Sequence, residues 1–122
     1  MTIAVDFDGT ITEQNLYPDV GLFRKYAVNV LKALQQQGHT ICLWTCRSGE
    51  SLDLALANLK KKGFTPDYVN ESSFTTGSPK IVANVYIDDA AWPNCCMPVE
   101  SRVDWYEIGK SFNLSEDEIN GN

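Results

Sequence analysis

The sequence has no apolar run approaching the roughly 20 residues a helix needs to cross a bilayer. Its start, Met1-Thr2-Ile3, lacks the basic opening and apolar core of a secretion signal, so the expected compartment is the cytoplasm. Basic residues are scarce: 10 Lys and Arg against 16 Asp and Glu give a net charge of −6. Affinity for nucleic acid rests on neutralising phosphates with Lys and Arg, so this balance argues against a nucleic-acid partner. The one basic cluster, Lys60-Lys61-Lys62, stands just before Gly63 at the end of an expected helix, where cations complement the helix dipole. The acidic stretch Glu116 to Glu118 reads as a solvated face.

Zinc-type cysteine spacing is missing as well. Among Cys42, Cys46, Cys95 and Cys96, the first lies in an apolar run and the last two are adjacent, so buried free thiols are expected rather than a disulfide frame or a metal site. The single histidine, His39, follows Gly38 at a helix end, a place for capping or solvent contact rather than catalysis. There is no internal repeat, low-complexity tract or linker. A chain of 122 residues buries roughly two-thirds of its surface without staples, and residues 1–122 are expected to form a single domain.

What is present is an alternation of apolar β-rich runs and amphipathic helical stretches. Ile3 to Asp6 reads as a buried strand. Phe23, Tyr26, Ala27, Val30, Leu31 and Leu34 recur at helical spacing and Gly38 ends that helix. Thr40 to Thr45 is a second strand, and Leu52, Ala55, Leu56 and Leu59 mark a second helix closed by Gly63. Asp67 to Asn70 and Val85-Tyr86-Ile87 are the third and fourth strands, with a weaker fifth around Met97 to Val99. Asp104 and Glu107 have the spacing of a capping box opening a last helix. Such alternation predicts an α/β fold, a Rossmann-like three-layer sandwich with a central, mostly parallel sheet and helices on both faces. Ligands bind such folds at the carboxyl ends of the strands.

The polar residues that interrupt the pattern gather at that edge. Asp6 and Asp8 end the first strand, followed at once by Gly9-Thr10; Thr45 ends the second; Lys80 precedes the fourth, which ends in Asp88-Asp89. Residues i and i+2 of a strand point the same way, so two carboxylates are brought together, at a cost unless a cation lies between them. A hard divalent cation with oxygen ligands answers that need, and a glycine beside it brings main-chain N–H groups close. Two acidic pairs, a hydroxyl and an ammonium form a complete set for phosphoryl transfer. A phosphate monoester repels an anionic nucleophile, and attack by Asp6 is feasible only where Mg²⁺ and Lys80 cancel that repulsion. Asp6 would then form an aspartyl-phosphate, while Asp8 would protonate the leaving oxygen and later deprotonate water.

Asp6-Phe7-Asp8-Gly9-Thr10, Thr45, Lys80 and Asp88-Asp89, in this order, resemble the four motifs of the haloacid dehalogenase-like (HAD) superfamily, over residues 3 to about 90. The likeness is to its phosphatases, since its dehalogenases lack the second aspartate. It implies that Asp6 is nucleophile and metal ligand, that Asp8 is acid/base with its main-chain carbonyl on Mg²⁺, and that Asp88 completes the metal shell with support from Asp89. It further implies that Gly9, Thr10, Thr45 and Lys80 hold the phosphoryl group. Thr45-x-Arg47 is similar to the second motif of polynucleotide-end and some nucleotide phosphatases, where the guanidinium would grip a second phosphate or a carboxylate; the plainer alternative is a surface arginine paired with Glu50.

Many members of the superfamily insert a cap domain. Residues 11 to 39 hold only a short flap and a helix, and residues 46 to 79 only a helix, a strand and a loop, so no cap is expected. The open site would be covered by the flap, the substrate or a second copy in a homo-oligomer, with Tyr17 and Trp92 as candidates to line its mouth. A small phosphorylated metabolite or nucleotide is the expected substrate. A phospho-acceptor receiver domain shares this chemical kit, but its acidic pair comes first and its lysine last. A catalytically idle HAD-like binding module is the remaining alternative.

Overall fold

In the computed structural model, which describes residues 1–70, 83–90, 96–98 and 102–121, four apolar runs pair into one parallel sheet. The strands are β1 (Thr2–Val5), β2 (Thr40–Leu43), β3 (Tyr68–Val69) and β4 (Val85–Ile87), in the order β3-β2-β1-β4. β1 is buried along its whole length, as a central parallel strand covered on both faces must be. Its register places Ile3 between Ile41 and Val85, and Val5 between Leu43 and Ile87. These apolar residues face one continuous core with Phe7, Leu31, Leu34, Leu59 and Trp105. The alternate residues Ala4 and Cys42 face the other way, against Trp44, Tyr68 and Ala83.

The helices are α1 (Ala27–Gln36), α2 (Gly49–Lys61), α3 (Trp105–Ser111) and α4 (Glu116–Asn120). With the parallel sheet they give the Rossmann-like α/β architecture that the alternation predicts. α1 buries Ala27, Val30, Leu31 and Leu34, one face of a 3.6-residue period. Each fully buried leucine contributes roughly 1.5–3 kcal/mol. α1 starts later than the periodicity implies, because Tyr26 takes a left-handed φ of 70° and Phe23 is drawn into an antiparallel bridge with Thr12. Lys60 and Lys61 occupy the last turn of α2, as expected from the dipole.

The C-terminal segment holds two helices rather than one. Asp104 caps α3 by accepting from the Tyr106 and Glu107 amides, but the reciprocal capping box belongs to α4, between Ser115 and Glu118. Glu116 to Glu118 is therefore the first turn of a helix, anchored by buried Ile119. Of the fifth strand, residues 97 and 98 are not extended into the sheet and Val99 lies outside the described residues. The thiols also divide: Cys42 is buried, whereas Cys46 and Cys96 are exposed, contrary to the expectation of buried thiols. No helix among the described residues is long and apolar enough to cross a membrane.

Candidate functional site

In this strand order the chain runs outward from β1 through β2 to β3, then returns to place β4 on the other side of β1. The order therefore reverses between β1 and β4, and crevices at such a point are where parallel α/β sheets hold ligands. The Asp6 amide donates to the Ile87 carbonyl at 3.0 Å, carrying the β1–β4 pairing one residue past the strands. Asp6 is thereby set beside Asp88 and Asp89. The three carboxylates each present an oxygen, and these oxygens lie within 4.8 Å of one another.

Such crowding has an electrostatic cost. Burial first, and then the negative charge of Asp88, push Asp6 up to about 7 from its ordinary 3.8; Asp89 pushes the same way, against the lowering effect of hydrogen bonds from Phe7 and Thr10. A carboxyl raised to about 7 keeps part of its proton near neutrality, and positive charge beside it would favour the ionised form. Three carboxylate oxygens converging on one point fit a hard divalent cation such as Mg²⁺.

The loop after β1 is shaped to permit this convergence. The Phe7 carbonyl accepts from the amides of Thr10, Ile11 and Thr12, winding the chain into a tight turn. Gly9 has φ +81°, and a Cβ there would stand 2.5 Å from Asp89 Oδ2. The backbone conformation therefore favours glycine, and any side chain there would push the Asp89 carboxylate from its place. The Gly9 N–H donates to Thr12 Oγ1 at 3.0 Å, a bond within the turn. The buried Thr10 hydroxyl accepts from the Asp89 amide at 3.0 Å and lies 3.2 Å from Asp89 Oδ1 and 3.4 Å from Asp6 Oδ2. Its role in the structure is to brace the acidic trio.

Asp8 does not join that trio. The strand ends at Val5, and beyond it the two-residue alternation no longer governs side-chain direction. Asp6 turns to the β4 side, and Asp8 meets Arg47, which follows β2. Arg47 Nε donates to Asp8 Oδ2 at 2.8 Å and Nη2 to Oδ1 at 2.7 Å, a bidentate pair with both partners largely out of solvent. Nη1 donates to the carbonyls of Pro18 and Ser51, each at 3.0 Å, and Nη2 to that of Asp19 at 2.6 Å. A guanidinium has five N–H groups, and all five are engaged. The alternative of a surface pair with Glu50 is thus corrected: the residue is 2% exposed and its donors meet Asp8 and three main-chain carbonyls, while the expected grip on a substrate has no free N–H in this arrangement. Its charge is further stabilised, above all by the hydrogen bond to Asp8.

Thr45 lies just past the end of β2, where the Trp44 amide still donates to the Val5 carbonyl. Its amide donates to Asn70 Oδ1 at 2.8 Å and its hydroxyl accepts from the Arg47 amide at 3.1 Å. Lys80 and Trp92 lie outside the described residues. Tyr17 is 60% exposed and its ring lies 5.3 Å from the Arg47 guanidinium carbon. His39 is remote, at the opposite end of β1 against the Met1 amino group.

Two supports escaped the sequence. Buried Arg24 donates through Nε and Nη2 to the Gly9 carbonyl, at 3.2 and 2.8 Å, clamping the base of the flap to the turn. Trp105 Nε1 donates to the Thr10 carbonyl at 2.9 Å from α3. The signal for Arg24 was a lone arginine following apolar Val20 to Phe23; nothing local marks Trp105.

No protein-family model and no curated protein matches the chain. Among solved structures, that of a conserved protein coded by a locus from Bacteroides thetaiotaomicron is similar at a TM-score of 0.79 and 37% sequence identity, covering 93% of this chain and 89% of that chain. With that identity over nearly the full length of both, the chain belongs to the family of this conserved Bacteroides thetaiotaomicron protein.

Proposed function

We propose that this chain is a Mg²⁺-dependent phosphatase of the HAD type, cleaving phosphate monoesters through an aspartyl-phosphate on Asp6. The observation that carries the reading is the convergence of Asp6, Asp88 and Asp89 at the switch point, with Asp6 pushed up to about 7. Asp6, Asp88 and Asp89 would hold the ion, which when bound would neutralise the repulsion between the carboxylates and a phosphate dianion.

Asp6 attacks phosphorus in line, and the bond from phosphorus to the ester oxygen breaks. Asp8 gives its proton to that oxygen and the alcohol leaves. Water then attacks the same phosphorus and yields a proton to Asp8. The bond between phosphorus and Asp6 breaks, releasing inorganic phosphate and restoring the carboxylate. Thr45 and Lys80 hold the phosphoryl oxygens. Both Asp8 oxygens accept from Arg47, so before the first step one of them must leave that pair and take up a proton from solvent, which the water of the second step later restores. The nucleotide or polynucleotide-end alternative drew on a free Arg47, and the full engagement of its guanidinium removes that support. A small phosphorylated metabolite remains as the substrate class, at a site covered by the flap or by a second copy.

A panel of phosphate monoesters, assayed with Mg²⁺ and with EDTA, tests the reading. Wild type should turn over at least one ester only with metal. Asp6→Asn should keep its fold and lose at least about 10⁴-fold in kcat. Undiminished turnover by Asp6→Asn would remove Asp6 as the nucleophile.

A further inference from the structure

The flap between β1 and α1 is tied at its base and exposed at its tip. At the base, the Glu13 amide donates to the Leu22 carbonyl at 2.7 Å and the Arg24 amide to the Ile11 carbonyl at 2.8 Å. Residues 13 to 19 are all exposed. The tip is held to the body by Arg47, which donates to the Pro18 and Asp19 carbonyls while its guanidinium carbon lies 5.3 Å from the centre of the Tyr17 ring. The same planar group takes both oxygens of Asp8.

We propose that Arg47 is a positioning residue that couples the flap to Asp8, so that the covering of the site and the orientation of its acid/base are set together. For its meaning in the reaction this rests on the phosphatase reading above. The argument is geometric. The guanidinium is rigid and planar, so its five donors cannot be re-aimed independently. Lifting the 18–19 peptide groups takes away two of the five acceptors that fix the plane of the guanidinium and leaves it held by Asp8 and the Ser51 carbonyl. With fewer anchors the guanidinium is free to turn, and it takes Asp8 with it. Conversely, turning Asp8 away uncovers Nε and Nη2 and loosens the hold on Asp19. A lysine keeps the charge but offers a single nitrogen, which cannot reach two carboxylate oxygens and the flap at once.

Hydrogen exchange on the metal-free protein tests the coupling without reference to turnover. Asp8→Asn and Arg47→Lys should each speed exchange across residues 13 to 22 by roughly tenfold, while the amides of α1 keep wild-type rates. Flap exchange at the wild-type rate in Asp8→Asn, which preserves side-chain shape, would overturn the coupling even if Arg47→Lys proved unfolded. The kinetic arm compares an aliphatic ester, glycerol phosphate, with p-nitrophenyl phosphate, whose leaving group needs little acid help. Arg47→Lys should lose roughly tenfold more kcat on the aliphatic ester, with KM held within about twofold. Equal losses on both esters would overturn the positioning role and leave Arg47 a structural residue. Wild type that turns over neither ester would count against the phosphatase reading, and the exchange comparison would still decide whether flap and Asp8 are coupled.

Discussion

On the β4 side of β1, three carboxylates stand within 4.8 Å of one another and one of them is pushed up to about 7. On the β2 side, a single carboxylate meets a guanidinium in a bidentate pair. The two sides are served by Asp6 and Asp8, separated in the chain by Phe7 alone. One side gathers three carboxylates at a spacing that a cation could bridge; the other pairs its carboxylate with a guanidinium from within. The sheet makes this division, since the same short turn feeds side chains toward two different neighbouring strands. Placing both aspartates in one cluster would add a fourth negative charge to the trio and leave buried Arg47 without its carboxylate.

The largest effect should come from breaking the neutral side. Arg47→Ala leaves Asp8 and three carbonyls without their donor, and removing one partner of a buried pair typically costs about 3–5 kcal/mol. Urea denaturation of the metal-free protein should show a loss of this size; a change within about 0.5 kcal/mol, as for an ordinary surface residue, would count against the pair as a structural element.

Relieving the crowded side should act in the opposite direction. Because Asp6 is raised from 3.8 to about 7, the folded chain keeps a proton that the unfolded chain releases in that interval. The contribution of Asp6 to stability is thus full below about pH 4 and falls as the pH climbs to about 7. Without metal, Asp6→Asn should be more stable than wild type at pH 8 by ~1–3 kcal/mol, a range lowered for solvent screening at this partly exposed site. The two should converge near pH 4. Melting curves across this range in EDTA decide it, and a parallel pH profile for both proteins would contradict the raised value. Mg²⁺ should sharpen the contrast, raising the wild-type Tm more at pH 8 than at pH 5 and raising that of Asp6→Asn less.

Smaller changes probe what supports both sides. Trp105→Phe keeps most of the ring but leaves the Thr10 carbonyl without its indole donor, which should cost about 1–2 kcal/mol and weaken Mg²⁺ binding severalfold in a calorimetric titration. Ser115→Ala removes the α4 cap and should cost about 1 kcal/mol with metal affinity unchanged. A change in Mg²⁺ affinity in this remote variant would mean that the comparison reports overall stability rather than the site.

The strands were legible because burial on both faces demands unbroken apolar runs, and β4 falls on Val85–Ile87 as read. The meeting of Asp6 with Asp88 and Asp89 was legible too, since strand ends in a parallel sheet share an edge. Helix starts were less so: Tyr26 carries an apolar side chain in the right period but a left-handed backbone, which periodicity cannot register. The partners of Asp8 and Arg47 were hidden for a different reason. Arg47 lies 39 residues from Asp8, and its other acceptors are main-chain carbonyls, which every sequence has and none advertises. Glu50 was the nearest visible anion and the wrong one.

The bond from Trp105 to the Thr10 carbonyl closes a loop of 95 residues. A nascent chain therefore emerges with its acidic turn long before the indole that steadies it has been synthesised. On the ribosome the first strand and its neighbours can pair early, yet the turn gains its last tether only after α3 clears the exit tunnel. The full set of supports for the site is therefore complete only once the chain through α3 has been made, although that helix contributes no carboxylate to it.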